Sequence, residues 1–243
     1  MIYSTPENAT EVPIVPDMTA PVPPEWQLLA ALDRLDLLDI PLENAAPAFG
    51  CDQDWYGEHW QRQAGCGPCT SATILYYLAL SRPDLASLYT LPAGSKEPFR
   101  LFMDQIWHYV TPGRMGVNEA GMLVDGVTRY AGTRGIGLEA AVFCIPGLTG
   151  SRLPLDQFRD FIVAGLSRQT PVAFLNLSNG KLDNLDSWHW VTVTALFCDP
   201  QGQLFAELSD SGEKKRVNLT LWYTTTRLGG AAVYFLPQKT QPG

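Results

Sequence analysis

The stretch around which this chain is organised spans residues 61–72 and reads QRQAGCGPCTSA. Glycine on both sides of Cys66 indicates a tight turn that delivers a cysteine to an apolar helix, which we expect over residues 70–80. Pro68 suits the first helical turn, where its missing N–H removes no hydrogen bond. Unpaired backbone N–H groups and the positive end of the helix dipole favour a thiolate there. The stretch therefore predicts a nucleophilic cysteine.

Other interpretations of the same stretch remain open. Cys66-Gly67-Pro68-Cys69 has the letters of the redox tetrapeptide of thioredoxins. In thioredoxin-like folds this tetrapeptide directly follows a buried core strand, whereas residues 58–65 are too polar to form one. A dithiol–disulfide oxidoreductase is therefore an alternative to a cysteine hydrolase. A buried cysteine pair at a helix start, without any chemistry, is the structural interpretation.

Composition and charge limit the classes of partner. The chain has 243 residues, of which 46% are hydrophobic, enough for a sizeable core. Lys and Arg number 17 against 25 Asp and Glu, and the formal net charge of −8 argues against nucleic acid or an anionic membrane as a partner. No leader pattern is visible near the N-terminus, and no apolar run reaches the length of a membrane span. We expect a soluble, cytoplasmic protein with a peptide or protein substrate, and the sequence leaves its oligomeric state open.

The cysteines do not predict a disulfide framework, because they are odd in number and scattered along a long chain. They are Cys51, Cys66, Cys69, Cys144 and Cys198. Cys144 lies within an apolar, strand-like run, so we expect it to be buried and inert. Cys51, Cys66 and Cys69 together with His59 offer zinc ligands, but the second closely spaced Cys or His pair that is typical of zinc sites is missing. We expect no metal and no cofactor.

Helical spacing and strand alternation separate along the chain. Residues 1–24 are rich in proline and predict an extended arm, residues 25–237 a single domain, and residues 238–243 a tail. Helices gathered before strands indicate an α+β fold rather than alternating α/β. Beside the cysteine helix, we expect helices over residues 25–38, 97–110, 118–130 and 155–166. We expect strands over residues 138–145, 171–177, 189–197, 203–208, 217–222 and 231–236.

A cysteine hydrolase needs a base for its thiol, and the chain has three histidines, His59, His108 and His189. His108 lies off the apolar stripe of its helix, so we expect it at the surface. His189 opens a predicted strand with the sequence HWVTV, where the sheet holds the residue while its ring can reach a cleft. A hydrogen-bonded structural histidine is the alternative. The position favours His189 as the base.

The hairpin after His189 supplies a group that could orient the base. Residues 199–202 read DPQG, a favourable turn sequence. A turn closed by its first and last residues sets Asp210 opposite Val191, and therefore diagonal to His189 on the same face of the sheet. A slip of one residue would place a serine there instead. The weaker candidates, in the loop before His189, are Asp183 and Asp186.

Together these segments resemble the papain-like cysteine peptidase superfamily, most closely its bacteriocin-processing, double-glycine branch. The resemblance rests on a glutamine upstream of the helix-opening run GCGPCTSA, on the later strand HWVTV, and on an aspartate after that strand. It spans about residues 55–236, and its specific parts are the cysteine and histidine segments.

The resemblance implies a helical part that carries the cysteine, packed on an antiparallel sheet that carries histidine and aspartate. The catalytic roles then fall to Cys66 as nucleophile, His189 as base and Asp210 as the group that orients the base. Gln61 or Gln63 joins the cysteine backbone N–H as an oxyanion donor. The implied reaction is attack of a thiolate on an amide carbonyl, which gives an acyl-enzyme that water then hydrolyses.

Two features leave alternatives to this assignment. The glutamine spacing of papain fits Gln63 with Cys69, whereas the helix starts of closer relatives select Cys66, so Cys69 remains an alternative nucleophile. The transporter domains that usually accompany double-glycine processing do not occur in this sequence, so the substrate class does not transfer. A catalytically inactive, peptide-binding papain-like domain is a further alternative, beside the oxidoreductase.

Overall fold

The computed structural model describes residues 21–147 and 152–238, which form the predicted α+β fold. The predicted arm over residues 1–24 and tail over residues 238–243 lie almost entirely outside the described residues. The helices are α1 (His59–Ala64), α2 (Cys66–Ser81), α3 (Lys96–Trp107), α4 (Ala120–Thr133), α5 (Leu155–Leu166) and α6 (Leu219–Thr225). The strands are β1 (Gln27–Ala31), β2 (Asp39–Leu42), β3 (Ala45–Phe49), β4 (Leu138–Ile145), β5 (Val172–Asn176), β6 (His189–Cys198), β7 (Leu204–Asp210), β8 (Glu213–Asn218) and β9 (Gly230–Pro237). Short 3-10 helices cover Leu35–Leu38, Gln53–Trp55 and Pro83–Leu88.

Strand β6 is the centre of an antiparallel sheet. In the described part of the chain, seven strands form this sheet in the order β4-β9-β5-β6-β7-β8, with β1 added against β6. One edge of β6 pairs twice, with β5 along residues 189–193 and with β1 along residues 195–198. Strands β2 and β3 form a separate hairpin. The start of β6, where His189 lies, is therefore fixed by neighbours in the middle of the sheet.

Helices cover both faces of this sheet and create two hydrophobic cores. Helices α2, α3 and α4 pack on one face, against sheet residues that include Leu175 and Trp190. Helices α5 and α6 pack on the other face, against residues that include Phe174 and Val191. Helix α2 is buried along almost its whole length, as expected for a helix that is apolar on all sides. No helix in the described ranges is both long and apolar enough to cross a membrane.

The helix predicted over residues 25–38 is wrong. Gln27–Ala31 form strand β1, and Leu35–Leu38 form a short 3-10 helix. Strand β1 is held by antiparallel pairing with the end of β6, and the ring of Trp26 stacks on Phe205 with 4.0 Å between centroids. The apolar residues do fit helical spacing, but pairing with a strand that is distant in sequence overrides this local preference.

The strand predicted over residues 217–222 is also wrong. Strand β8 ends at Asn218, whose side chain accepts a hydrogen bond from the Leu221 N–H at 2.8 Å and so starts helix α6. Trp222 is buried in this helix, where its indole N–H donates to Asn176 Oδ1 at 2.7 Å. The remaining predictions in the list above hold to within a few residues, and β4 and α5 have their predicted bounds.

Candidate active site

Cys66 is the first residue of helix α2, four residues before the predicted helix start. Only Gly65 separates it from α1, and both flanking glycines are needed for packing. A Cβ on Gly65 would lie 2.7 Å from the ring of Tyr56, and one on Gly67 would lie 2.7 Å from Val117 Cβ. Cys66 is half-buried and free. Its place at the N-terminus of a 16-residue helix favours a negative charge on its sulfur.

His189 opens strand β6 and is buried, with 8% of its surface exposed. The residue before it, Trp188, has a φ of 57°, in the left-handed region that is costly for an aromatic residue. Asn176 lies opposite His189 on β5 and donates from its side chain to the Asp186 carbonyl at 2.6 Å. The loop that enters the strand is therefore held at both the backbone and the side-chain level, and the imidazole is fixed in position.

Asp210 is the last residue of β7, and the register of the β6–β7 hairpin decides where it lies. Near the turn, Cys198 lies opposite Leu204, whereas the predicted register sets it opposite Gln203. A β-bulge further along β6 takes up the extra residue, so Thr192 lies opposite Ser209, as predicted. The carboxylate therefore lies beside the histidine at the end of the sheet.

The two-residue turn after Asp210 joins the hairpin to the rest of the site. Ser211 and Gly212 have φ values of 49° and 76°, as a type I′ turn requires. The Gly212 N–H donates to the Cys51 carbonyl at 2.8 Å, and its carbonyl accepts from the Phe49 N–H at 2.7 Å. The segment that carries Cys51 is thereby attached to the turn that carries Asp210.

Cys66, His189 and Asp210 come from three distant parts of the chain and meet in space. His189 Nε2 lies 2.7 Å from Asp210 Oδ1, and the Cys66 side chain interacts with the same ring. Burial by itself lowers the pKa of His189, but the hydrogen bonds with Asp210 and Cys66 outweigh it and raise the pKa to about 10. Burial likewise raises the pKa of Asp210, but its bond to His189 prevails and lowers the pKa to about 2. The geometry therefore favours an imidazolium between two acceptors.

Lys215 completes the surroundings of the carboxylate and was not predicted from the sequence. Its ammonium lies 3.0 Å from Asp210 Oδ2, while Oδ1 accepts from His189 and, at 3.2 Å, from the Ser211 hydroxyl. Asp210 is thus held through both of its oxygens. The signal in the sequence was the basic run after the turn, which is ambiguous until the register of β8 is known.

Cys69 is joined to Cys51 by a disulfide, with 5.9 Å between the Cα atoms. The expectation of scattered, unpaired cysteines is therefore wrong at these two positions. Cys69, the alternative nucleophile, has no free thiol in this structure, whereas Cys66 does. Disulfides are rare in the reducing cytoplasm, so the cytoplasmic location stays a prediction.

Neither predicted oxyanion glutamine is among the described residues that line the cavity of Cys66. Gln61 Oε1 accepts from the Glu58 N–H at 3.3 Å within the capping box of α1, and Gln63 is exposed. A different glutamine, Gln53, lines the same cavity as Cys66 and His189. Its Oε1 is buried without a hydrogen-bond partner among the described residues. Sequence spacing could not find Gln53, because a 3-10 helix and α1 intervene between it and Cys66.

The cavity shared by Cys66, His189 and Gln53 has a volume of only about 10 Å³, close to the space one water needs. A larger cleft of about 700 Å³ borders β8 and is lined by Lys215 but not by Cys66. Size alone points to the larger cleft. Cys66, His189 and Asp210 define the candidate site by their chemistry, and their tight surroundings strengthen every charge interaction within it.

The other candidates from the sequence lie elsewhere. His108 is exposed, as predicted, and His59 is exposed on α1. Asp183 and Asp186 are exposed in the loop before β6 and do not contact His189 as Asp210 does. Cys144 is exposed on β4, so the expectation of a buried thiol is wrong. Within the described ranges, no group of three or more His, Cys, Asp or Glu side chains is arranged to hold a metal ion.

No protein-family model matches this chain, and no curated protein matches it either. The site combines a half-buried free cysteine at a helix N-terminus, a buried histidine that can take the thiol proton, and a buried carboxylate that accepts from that histidine.

Proposed function

We propose that this protein is a cysteine peptidase or amide hydrolase, with a fold of the papain-like superfamily. The observation that carries the proposal is the Cys66–His189–Asp210 cluster, assembled from the start of a buried helix and from the ends of two sheet strands. Cys66 lies far in sequence from the β6–β7 hairpin that carries His189 and Asp210, so local structure alone does not explain the meeting of all three. The raised pKa of His189 and the lowered pKa of Asp210 fit a protonated His189 paired with an ionised Asp210, as a cysteine–histidine dyad with a supporting carboxylate requires.

The proposed reaction uses each residue in turn. His189 holds the thiol proton, and the Cys66 thiolate attacks the carbonyl carbon of a peptide or amide bond. His189 then gives its proton to the leaving amine, and the acyl group remains on the Cys66 sulfur. A water molecule, deprotonated by His189, releases the acid and restores the thiol. Asp210 keeps the ring oriented through its Nε2 and stabilises the imidazolium.

Gln53 is the side chain best placed to help bind the oxyanion. The backbone N–H groups at the start of α2 have no partner within the helix and supply the first donors. The Gln53 amide carries both a carbonyl oxygen and an NH₂ group, and half a rotation exchanges them. Because its oxygen has no partner in the cavity, turning the NH₂ toward the oxyanion sacrifices no hydrogen bond of that oxygen.

Gln53→Ala is expected to lower turnover by roughly 10²- to 10³-fold, the usual effect of removing one oxyanion donor. Gln61→Ala is the matched control, because it removes an amide of equal size that serves only the α1 capping box. The rates of both variants are compared on the same cleaved substrate, together with their thermal unfolding. Equal losses in the two variants would assign the effect to the helix start rather than to the oxyanion.

The proposed function is tested by incubating the protein with a complex mixture of peptides and sequencing new termini by mass spectrometry. Wild type and Cys198→Ala, which removes another free cysteine, are expected to yield the same cleavage products, and Cys66→Ala none. Acid quenching during turnover is expected to trap an acyl adduct on the peptide that contains Cys66. Cleavage that survives in Cys66→Ala would overturn the assignment. An unreactive Cys66 together with peptide retention would favour the inactive binding domain.

A further inference from the structure

Two further cysteines share the cavity of the proposed nucleophile. Cys66, Cys51 and Cys69 all line the cavity of about 10 Å³. Cys51 and Cys69 are joined as a disulfide, and Cys66 is free. A free cysteine and a disulfide therefore line one cavity that has room for about one water.

The helix brings Cys66 and Cys69 within bonding range of each other. Both lie in the first turn of α2, three residues apart. Helical geometry separates the Cα atoms of such a pair by about 5 Å. Disulfides span Cα separations of roughly 4.4–6.8 Å, so the Cys66–Cys69 bond is compatible with the helix as it stands.

Hydrogen bonds favour the exchange at both the attacking sulfur of Cys66 and the leaving sulfur of Cys51. The Cys66 side chain is hydrogen-bonded to the His189 ring, which can take the thiol proton. Cys51 would be the leaving group, and the Thr73 hydroxyl donates to its sulfur at 3.3 Å. The same hydroxyl accepts from the Cys51 N–H at 3.2 Å, which orients its proton toward the sulfur. A leaving thiolate on Cys51 thus already has a donor.

We propose that Cys66 exchanges with the Cys51–Cys69 disulfide and thereby switches the site off. The Cys66 thiolate attacks the Cys69 sulfur, the Cys66–Cys69 bond forms, the Cys51–Cys69 bond breaks, and Cys51 departs as a thiolate. That thiolate takes up the proton that His189 held, so no external oxidant or reductant is consumed. The nucleophile is then masked until the reverse exchange restores it. This consequence for catalysis rests on the proposed function, whereas the exchange itself does not.

The exchange is tested by a direct assignment of the bonded cysteines, without any substrate. The folded protein is quenched in acid, which protonates thiolates and stops exchange, then unfolded, labelled with a maleimide at the same low pH, and mapped. The expected result is a fraction of molecules with label on Cys51 and none on Cys66. Cys198 serves as the internal reference for complete labelling. If Cys51 takes up no label at any starting pH, because it remains bonded to Cys69 in every molecule, the proposal is overturned.

Substitutions at Thr73 and Cys51 separate this exchange from scrambling during unfolding. Thr73→Val removes the donor to the leaving sulfur and is expected to lower the Cys51-labelled fraction by about two- to ten-fold, the range for one net hydrogen bond, while Thr73→Ser retains it. Cys51→Ser, treated with oxidised glutathione, is expected to close the Cys66–Cys69 disulfide. Full labelling of Cys66 and Cys69 in that variant would show that the two cysteines are not within bonding range. Exchange without any peptide cleavage would retain this inference and reject the peptidase.

Discussion

Replacing His189 with alanine is expected to slow the alkylation of Cys66 by iodoacetamide at pH 6 by on the order of 100-fold. In the wild type the His189 ring, whose pKa is raised to about 10, is hydrogen-bonded to Cys66 and can take its proton. Without the ring, the Cys66 thiol loses this base. Turnover is expected to fall by roughly 10²- to 10⁴-fold, since the variant loses both the base and the acid.

The measurement is the alkylation rate of each cysteine against pH, followed by peptide mapping. His108→Ala is the matched control, because His108 is exposed on α3's end and is expected to leave the profile unchanged. The exposed, free Cys144 is the reference cysteine in the same sample. A Cys66 profile that matches that of Cys144 and does not respond to residue 189 would show that no dyad exists.

Replacing Asp210 with alanine is expected to lower the free energy of unfolding by about 3 kcal/mol near pH 5, as is typical when one partner of a buried ion pair is removed. Asp210 is 4% exposed and accepts from both His189 and Lys215. The variant leaves the imidazolium and the ammonium without their common acceptor. Turnover is expected to fall as well, because the ring loses the partner that fixes its orientation.

The pH dependence distinguishes this ion pair from a simple loss of packing. Asp210 has a pKa lowered from 3.8 to about 2, so its contribution is present above about pH 4 and disappears as the pH falls through 2. His189 has a pKa raised from 6.5 to about 10, so its contribution is complete below about pH 6.5 and declines as the pH rises toward 10. The stability difference between wild type and Asp210→Ala is therefore expected to be largest between about pH 4 and pH 6.5.

Urea unfolding at several pH values measures this difference. Asp183→Ala, at an exposed carboxylate in the loop before β6, is the control and is expected to change stability little at any pH. A stability difference that does not vary between pH 4 and pH 9 would mean that Asp210 stabilises the fold through packing alone.

Much of the candidate site could be inferred from the sequence because its signals are local. A glycine–cysteine–glycine–proline run before an apolar stretch predicts a cysteine at the first turn of a helix, although α2 begins four residues before the predicted start, at Cys66. The predicted hairpin register placed Asp210 beside His189, where the structure has it. The observed pairing differs near the turn, which is one residue longer than predicted, and a β-bulge in β6 compensates for the extra residue. The alternation of side chains along strands made that inference possible without knowledge of the sheet order.

The features that the sequence did not predict correctly have a common physical cause, which is contact between segments that are distant in sequence. The apolar residues of β1 have helical spacing, and only the free edge of β6 makes them a strand. Gln53 begins a 3-10 helix that is followed by α1, and it lines the cavity of Cys66, so no fixed spacing from Cys66 identifies it. Lys215 binds Asp210 because a type I′ turn returns β8 along β7.

The sequence by itself determined the α+β class, the helix-borne Cys66, and the pairing of His189 with Asp210, because each of these depends on periodicity or on a turn within a few residues. Only the tertiary structure decided that Cys51 and Cys69 form a disulfide while Cys66 stays free. Three cysteines allow three pairings, and which two meet depends on how the turn at Gly212 holds the Cys51 segment against helix α2. Long-range packing of this kind leaves no periodic pattern in the sequence.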